Sequence, residues 1–150
     1  MSVIVPNYEV PMGRVATTIA ITNNADLIRV EAGDIDASAV RSLTLDGVLV
    51  DTGATFLSLP ADLIARLGLR PLRELTIRTA AGPRRSRLFR DVSLTVMGRE
   101  GTFDCLELPE GTSPLLGVTP LEVLGLEPDI MNQRLRVLPD GPLDTYVTVL

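Results

Sequence analysis

At 150 residues and 45% hydrophobic content, the chain has the size of one domain and enough apolar side chains to build a core. A formal net charge of −5 argues against a general attraction to nucleic acid, which needs clustered Lys and Arg. The chain holds one cysteine, Cys105, and no histidine, so an intramolecular disulfide, an imidazole base and the common zinc-ligand sets are all excluded, and any catalysis falls to carboxylates.

The opening MSVIVPNYEVPMG has no basic start followed by an apolar stretch, and Pro6 and Pro11 interrupt it. Nowhere do about 18 apolar residues run together, as a membrane-spanning helix needs. The expectation is a cytoplasmic protein of one domain over residues 1–150, with no membrane or nucleic-acid partner, no metal and no cofactor. Eleven prolines and twelve glycines favour many short elements, so the composition leans towards β.

Along the chain, residues 13–22 read as a strand, Asn23-Asn24-Ala25-Asp26 as a turn and residues 27–31 as a second strand. A polar loop around Gly33 to Asp36 follows, then alternating Leu43-Thr44-Leu45 and a tight-turn signal at Asp46-Gly47. Val48-Leu49-Val50 is a short apolar strand that delivers the chain to Asp51. Leu57 to Pro60 leads into a short helix, with Pro60 in its first turn, Leu63, Ile64 and Leu67 on one face and Gly68 at its end. Strands are expected over residues 72–79 and 86–96, with Ala80-Ala81-Gly82-Pro83 as the hairpin tip, and over residues 102–108 after a turn at residues 98–101. Leu115-Leu116-Gly117 precedes a helix capped by Thr119, with Pro120 at its first position and an end near Gly125. Residues 135–137 and 145–149 close the chain as strands.

The segment Asp51-Thr52-Gly53-Ala54-Thr55 carries the functional signal, because an acid set directly after an apolar strand is costly to bury unless something stabilises it. The plain alternative is that Asp51 opens a turn in which Gly53 takes a positive φ. Other acids, Asp34, Asp36, Asp104, Asp129 and Asp140, read as turn formers or solvated charges, and Cys105 as a small buried hydrophobe. The basic cluster Arg84, Arg85 and Arg87 reads as the solvated edge of a hairpin.

Apolar strand, Asp-Thr-Gly-Ala, a short strand, a Pro-started helix, a hairpin, and apolar-apolar-Gly before a second helix form an order that resembles the retropepsin-like aspartic proteases. The resemblance runs from about residue 13 to residue 137 and is carried by LVDTGAT, LSLPADLIARLGL and PLLGVTPLEVLGL. It implies a mainly β fold, a closed barrel with two short helices and one lobe per chain. It further implies that Asp51 is the catalytic aspartate, that Thr52 braces the partner subunit's matching loop, and that Gly53 lets the backbone approach the site closely. Ala54 and Thr55, with Thr79, Ala80, Ala81 and Gly82 at the tip of a flap spanning residues 76–88, would contact substrate, while Leu115, Leu116 and Gly117 would support the Asp51 loop. Two departures stand out. Thr55 replaces a second Asp usual in viral members, and the flap carries Ala and Arg, with Pro83 restricting its φ.

Peptide hydrolysis of this kind needs two carboxylates that share one proton, and the chain holds one Asp-Thr-Gly, so the resemblance implies a homodimer acting on a peptide or protein substrate with apolar side chains beside the cut. Residues 3–5 and 146–149 are candidates for a sheet between the subunits, with an edge strand as the competing reading. A non-catalytic dimer of the same fold, binding extended peptides or serving as an assembly module, is the alternative from another functional class.

Overall fold

The structure, a computed structural model, describes the backbone of residues 2–5 and all of residues 14–138. Ten strands and three short helices occur among the described residues. β2 (Ala16–Asn23), β3 (Ser42–Val50), β4 (Leu57–Pro60), β6 (Gly82–Val96), β7 (Arg99–Leu108) and β8 (Leu115–Leu116) form one sheet in the order β3-β2-β6-β7-β4-β8, and a further β3–β8 pairing closes it into a ring. β1 (Ser2–Val5) lies parallel on the outer edge of β3, and β5 (Arg70–Thr79) forms a hairpin with β6. β9 (Leu126–Asp129) and β10 (Arg134–Val137) make a separate hairpin. This is the mainly β, closed architecture of a retropepsin-like lobe.

Ring closure follows from alternation. Leu43, Leu45, Val48 and Val50 of β3 point inward with Ile19 and Ile21 of β2 and Leu94 and Val96 of β6, and all are buried in one cluster. Each fully buried aliphatic side chain contributes about 2 kcal/mol by leaving water, so the register that places all of them inside is strongly selected over a one-residue slip. Asp46-Gly47 does not end the strand as a turn. Thr17 pairs with Val48 and Ile19 with Leu45, so the two residues form a bulge inside β3; Gly47 takes φ 66 there, and Asp46 accepts a 2.9 Å hydrogen bond from the Thr18 hydroxyl.

The segment after β2 departs from expectation: residues 24–31, read as a turn and a strand, form α1 (Asn24–Glu31). The Asn23 side chain accepts from the N–H of Asp26 at 3.1 Å, capping the helix, and donates to the Leu67 carbonyl at 2.8 Å. Asp26 is buried and receives both the backbone N–H and the guanidinium of Arg41, so a charge pair and a cap fix this helix although Ile28 stays exposed. The Arg41 guanidinium beside Asp26 holds its carboxyl below the usual carboxylate range.

α2 (Ala61–Leu67) buries Leu63, Ile64 and Leu67 and ends at Gly68, in line with its sequence, with Pro60 as the residue before the helix and not inside its first turn. The β5–β6 hairpin is tighter than expected: Thr79 pairs with Gly82, leaving Ala80-Ala81 alone as the turn. β6 then bends at Asp91, φ 65, where it leaves β5 and joins β2. α3 (Val118–Leu124) begins one residue after Gly117, so Thr119 and Pro120 lie within its first turn and Thr119 is not its cap. Beyond it, the buried Arg99 guanidinium donates to the carbonyls of Leu124 and Gly125 at 2.8 and 2.7 Å, tying the end of α3 to the sheet. The strand expected over residues 145–149 lies outside the described residues, as does Gly13. Ser2–Val5, considered for a sheet between subunits, pairs with Ser42–Leu45 of its own chain.

Candidate active site

The chain reaches Asp51 along β3, whose last residue donates from the Val50 N–H to the Val15 carbonyl at 2.9 Å. There β8 intervenes. Leu49 and Val50 pair with Leu115 and Leu116, and the Asp51 N–H donates to the Leu116 carbonyl at 3.0 Å. The turn closes on itself: the Asp51 carbonyl accepts from the Ala54 N–H at 3.1 Å, and its carboxylate Oδ1 accepts from the Gly53 N–H at 2.9 Å. Asp51 is therefore oriented by its own loop as a turn-forming acid, yet it stays half-buried and open to solvent on one side.

The far side of the loop is held by α3. The first N–H groups of a helix have no partner within it, and here those of Val118 and Thr119 donate to the carbonyls of Ala54 and Thr55 at 2.8 and 3.0 Å. Leu116 is fully buried behind the loop, and Leu115 pairs on its other side with Ser58 of β4. Residues 115–119 thus pair with or bond to both ends of the Asp51 loop.

In front of the loop lies a cavity of about 540 Å³, within the range of ligand sites. Asp51, Gly53, Ala54 and Thr55 form one side, Leu106, Leu108 and Leu115 the apolar wall, and the β5–β6 hairpin the opposite side through Leu75 to Thr79 and Arg84. Of the four expected flap contacts, Thr79 lines this cavity and Ala80, Ala81 and Gly82 do not; the tip is closed by the Thr79 hydroxyl, which donates to the Gly82 carbonyl at 2.7 Å and accepts from the Ala81 N–H at 3.2 Å. Thr52 is exposed and faces away, onto a smaller cavity of about 250 Å³ that it shares with Asp51, Pro128 and Ile130.

Sequence reasoning missed Phe56, Ser58, Leu75, Leu106 and Leu108 as cavity residues, and it placed Ile77 and Arg84 in the flap without naming them as contacts. Arg84 was grouped with Arg85 and Arg87 as a solvated edge. All three are exposed on the hairpin, as that reading expects; Arg85 also pairs with Glu74 at 3.4 Å and Arg87 with Glu107 through two bonds of 3.0 and 2.8 Å, while Arg84, opposite Ile77 in the hairpin, lines the cavity. The register of a two-residue hairpin is the signal that separates these faces, and it rests on placing the turn at Ala80-Ala81. Cys105 is fully buried and its thiol pKa is pushed up by desolvation, so it is no nucleophile. Asp36 and Asp129 are turn formers, accepting from Ser38 and Asn132. No group of three or more Cys, Asp or Glu stands together as a metal site among the described residues, and none of their helices is long and apolar enough to cross a membrane.

An acid carried on a loop between a ring-closing strand and a helix start, facing a cleft roofed by a hairpin, defines the aspartic protease class. Residues 40–127, more than half of the chain, match the family model described as aspartyl protease, and the chain belongs to that family. A search of curated proteins returned no match.

Proposed function

We propose that the chain is a single-domain cytoplasmic aspartic endopeptidase that works as a homodimer, with the twofold axis passing between two copies of Asp51. The observation that carries this reading is the placement of the Asp51 carboxylate at a cleft of about 540 Å³ whose other wall is apolar, on a loop fixed from both ends. A family member with one such loop per chain needs a second copy to complete the site. The exposed Thr52 and the exposed side chains of Ile130 and Met131, on the turn between β9 and β10, support an approach from that side.

In the dimer, two like charges in hydrogen-bonding range cannot both ionise comfortably, so the pair holds one proton and titrates as a unit. The ionised Asp51 takes a proton from a water that attacks the scissile carbonyl, and the protonated partner donates to the developing oxyanion. Thr52 braces the opposing loop, Gly53 and Ala54 keep backbone close to the reacting carbonyl, and Thr55 offers a neutral hydroxyl to the substrate. The cavity wall of Leu106, Leu108 and Leu115 suits apolar side chains beside the cut.

The test is Asp51→Asn, assayed on a peptide library between about pH 4 and 7, where a carboxylate pair can hold one proton. Cleavage is expected to disappear while circular dichroism and dimer mass stay unchanged. Cleavage that survives the substitution overturns the reading; peptide binding with no hydrolysis by the unsubstituted chain would favour the peptide-binding or assembly module instead.

A further inference from the structure

The Asp51 cleft does not end at the hairpin. A second cavity of about 400 Å³ lies along β6 and is lined by Glu74, Arg84, Arg85, Arg87 and Glu107. Arg84 and Leu108 line both cavities, so the two adjoin at these residues. Within the second cavity the charges do not balance. Glu74 is taken by Arg85 at 3.4 Å and Glu107 by Arg87 at 2.8 Å, and Arg84 has no carboxylate within ion-pairing distance among the described residues. Arg78, which lines the Asp51 cleft, likewise has none among the described residues. A guanidinium without a carboxylate partner among the described residues thus stands at the junction of the two clefts, beside the acidic Asp51 site.

From this we infer that Arg84 forms a subsite that takes an acidic side chain, Asp or Glu, of an extended peptide lying along both cavities. The inference rests on the peptide-binding cleft proposed above and names the charge of the substrate it prefers. A guanidinium presents its donors in a fork that matches a carboxylate, and a charged acceptor forms a shorter and stronger bond than an amide does. The apolar wall near Asp51 and the cation at Arg84 together describe a substrate with apolar residues at the cut and an acid farther along, where the negative Asp51 pair repels it less. Arg84 is a specificity residue in this scheme and touches no reacting atom.

The experiment uses peptides with an apolar core in which each flanking position is filled in turn by Glu, Gln or Lys. One position is expected to show a Glu-over-Gln preference in kcat/KM of about three- to fivefold, at the upper end for an ion pair open to water. In Arg84→Ala that ratio is expected to collapse to about one, and in Arg84→Glu the preference is expected to pass to Lys. Both substitutions replace an exposed side chain, and circular dichroism checks that the fold is kept. The same peptides, fluorescently labelled, are titrated onto Asp51→Asn with and without Arg84→Ala. If no peptide is cleaved yet Glu peptides bind more tightly than Gln peptides in an Arg84-dependent way, the subsite stands and the endopeptidase reading falls. Cleavage of the whole set with no acidic preference, a preference that persists in Arg84→Ala, or equal binding of Glu and Gln peptides overturns the subsite.

Discussion

A methyl group placed on Gly117 would stand 2.4 Å from the carbonyl oxygen of Phe56 and 2.7 Å from that of Ala54, closer than real contacts allow. The backbone that carries residues 115–118 thus lies flush against the loop that carries Asp51. Its closeness is what lets the N–H of Val118 reach the Ala54 carbonyl. A glycine is required there for space and not for its backbone angles, which are extended.

Gly117→Ala is accordingly expected to push the Asp51 loop away from α3. Overpacking against backbone costs about 1–3 kcal/mol, read as a lowered urea midpoint, and peptide cleavage should fall more steeply than stability because the carboxylate is displaced. A variant with unchanged stability and cleavage would show that the two segments part without cost.

Asp26 gives the protein a defined acid sensitivity. Its carboxyl is held below its ordinary value of 3.8 in the folded state, chiefly by the hydrogen bond from Arg41. The stabilisation is therefore fully present above pH 3.8 and is lost as pH falls below that, through the folded value. Asp26→Asn should cost about 2–3 kcal/mol near neutrality, where it leaves Arg41 facing an amide. It should also flatten the decline in stability below about pH 4. Urea titrations of both proteins at pH 7 and at low pH check this, and an equal loss at both would refute the assignment.

Cys105 is expected to resist iodoacetamide in the folded protein and to react only once the chain is unfolded, since burial leaves it fully enclosed and protonated. Mass spectrometry after labelling with and without urea reads this directly. Rapid labelling of the native protein would mean that β7 opens locally.

Ile130 and Met131 are 60% and 95% exposed, and Ile130 borders the small cavity beside Asp51 and Thr52. If the proposed homodimer forms with the partner approaching there, Ile130→Asp combined with Met131→Asp should weaken it at least about tenfold, as the loss of apolar anchors does elsewhere, and cleavage should fall with it at low protein concentration. Sedimentation over a concentration series measures the change. An unaltered dimer would place the interface on other surfaces, and a truncation of residues 143–150 would then test the chain end.

Much of the fold can be read along the chain wherever one residue's neighbours in sequence are also its neighbours in space. The face of α2 made by Leu63, Ile64 and Leu67, the alternation of Leu43 and Leu45 and the order Val48-Leu49-Val50-Asp51 are of this kind. α1 is not. Asn23 signals a helix start as well as a turn, and Leu27, Ile28 and Val30 suit a strand; what decides for the helix is Arg41, fifteen residues from Asp26 and paired with it. Asp46-Gly47 has the chemistry of a hairpin turn, yet the register with β2 makes it a bulge.

The same division governs the site. Asp51-Thr52-Gly53 within an ordered set of motifs is enough to give the family, because the chemistry of a turn and an apolar strand is local. That Val118 and Thr119 donate to the carbonyls of Ala54 and Thr55, that Arg84 lines the cavity while Arg85 and Arg87 find carboxylates, and that the flap tip stands clear of the cavity are settled only by three-dimensional pairing. Hydrogen bonds and ion pairs between distant segments depend on strand register, and register is fixed by burying whole faces at once, a property of the closed sheet and of no single stretch of sequence.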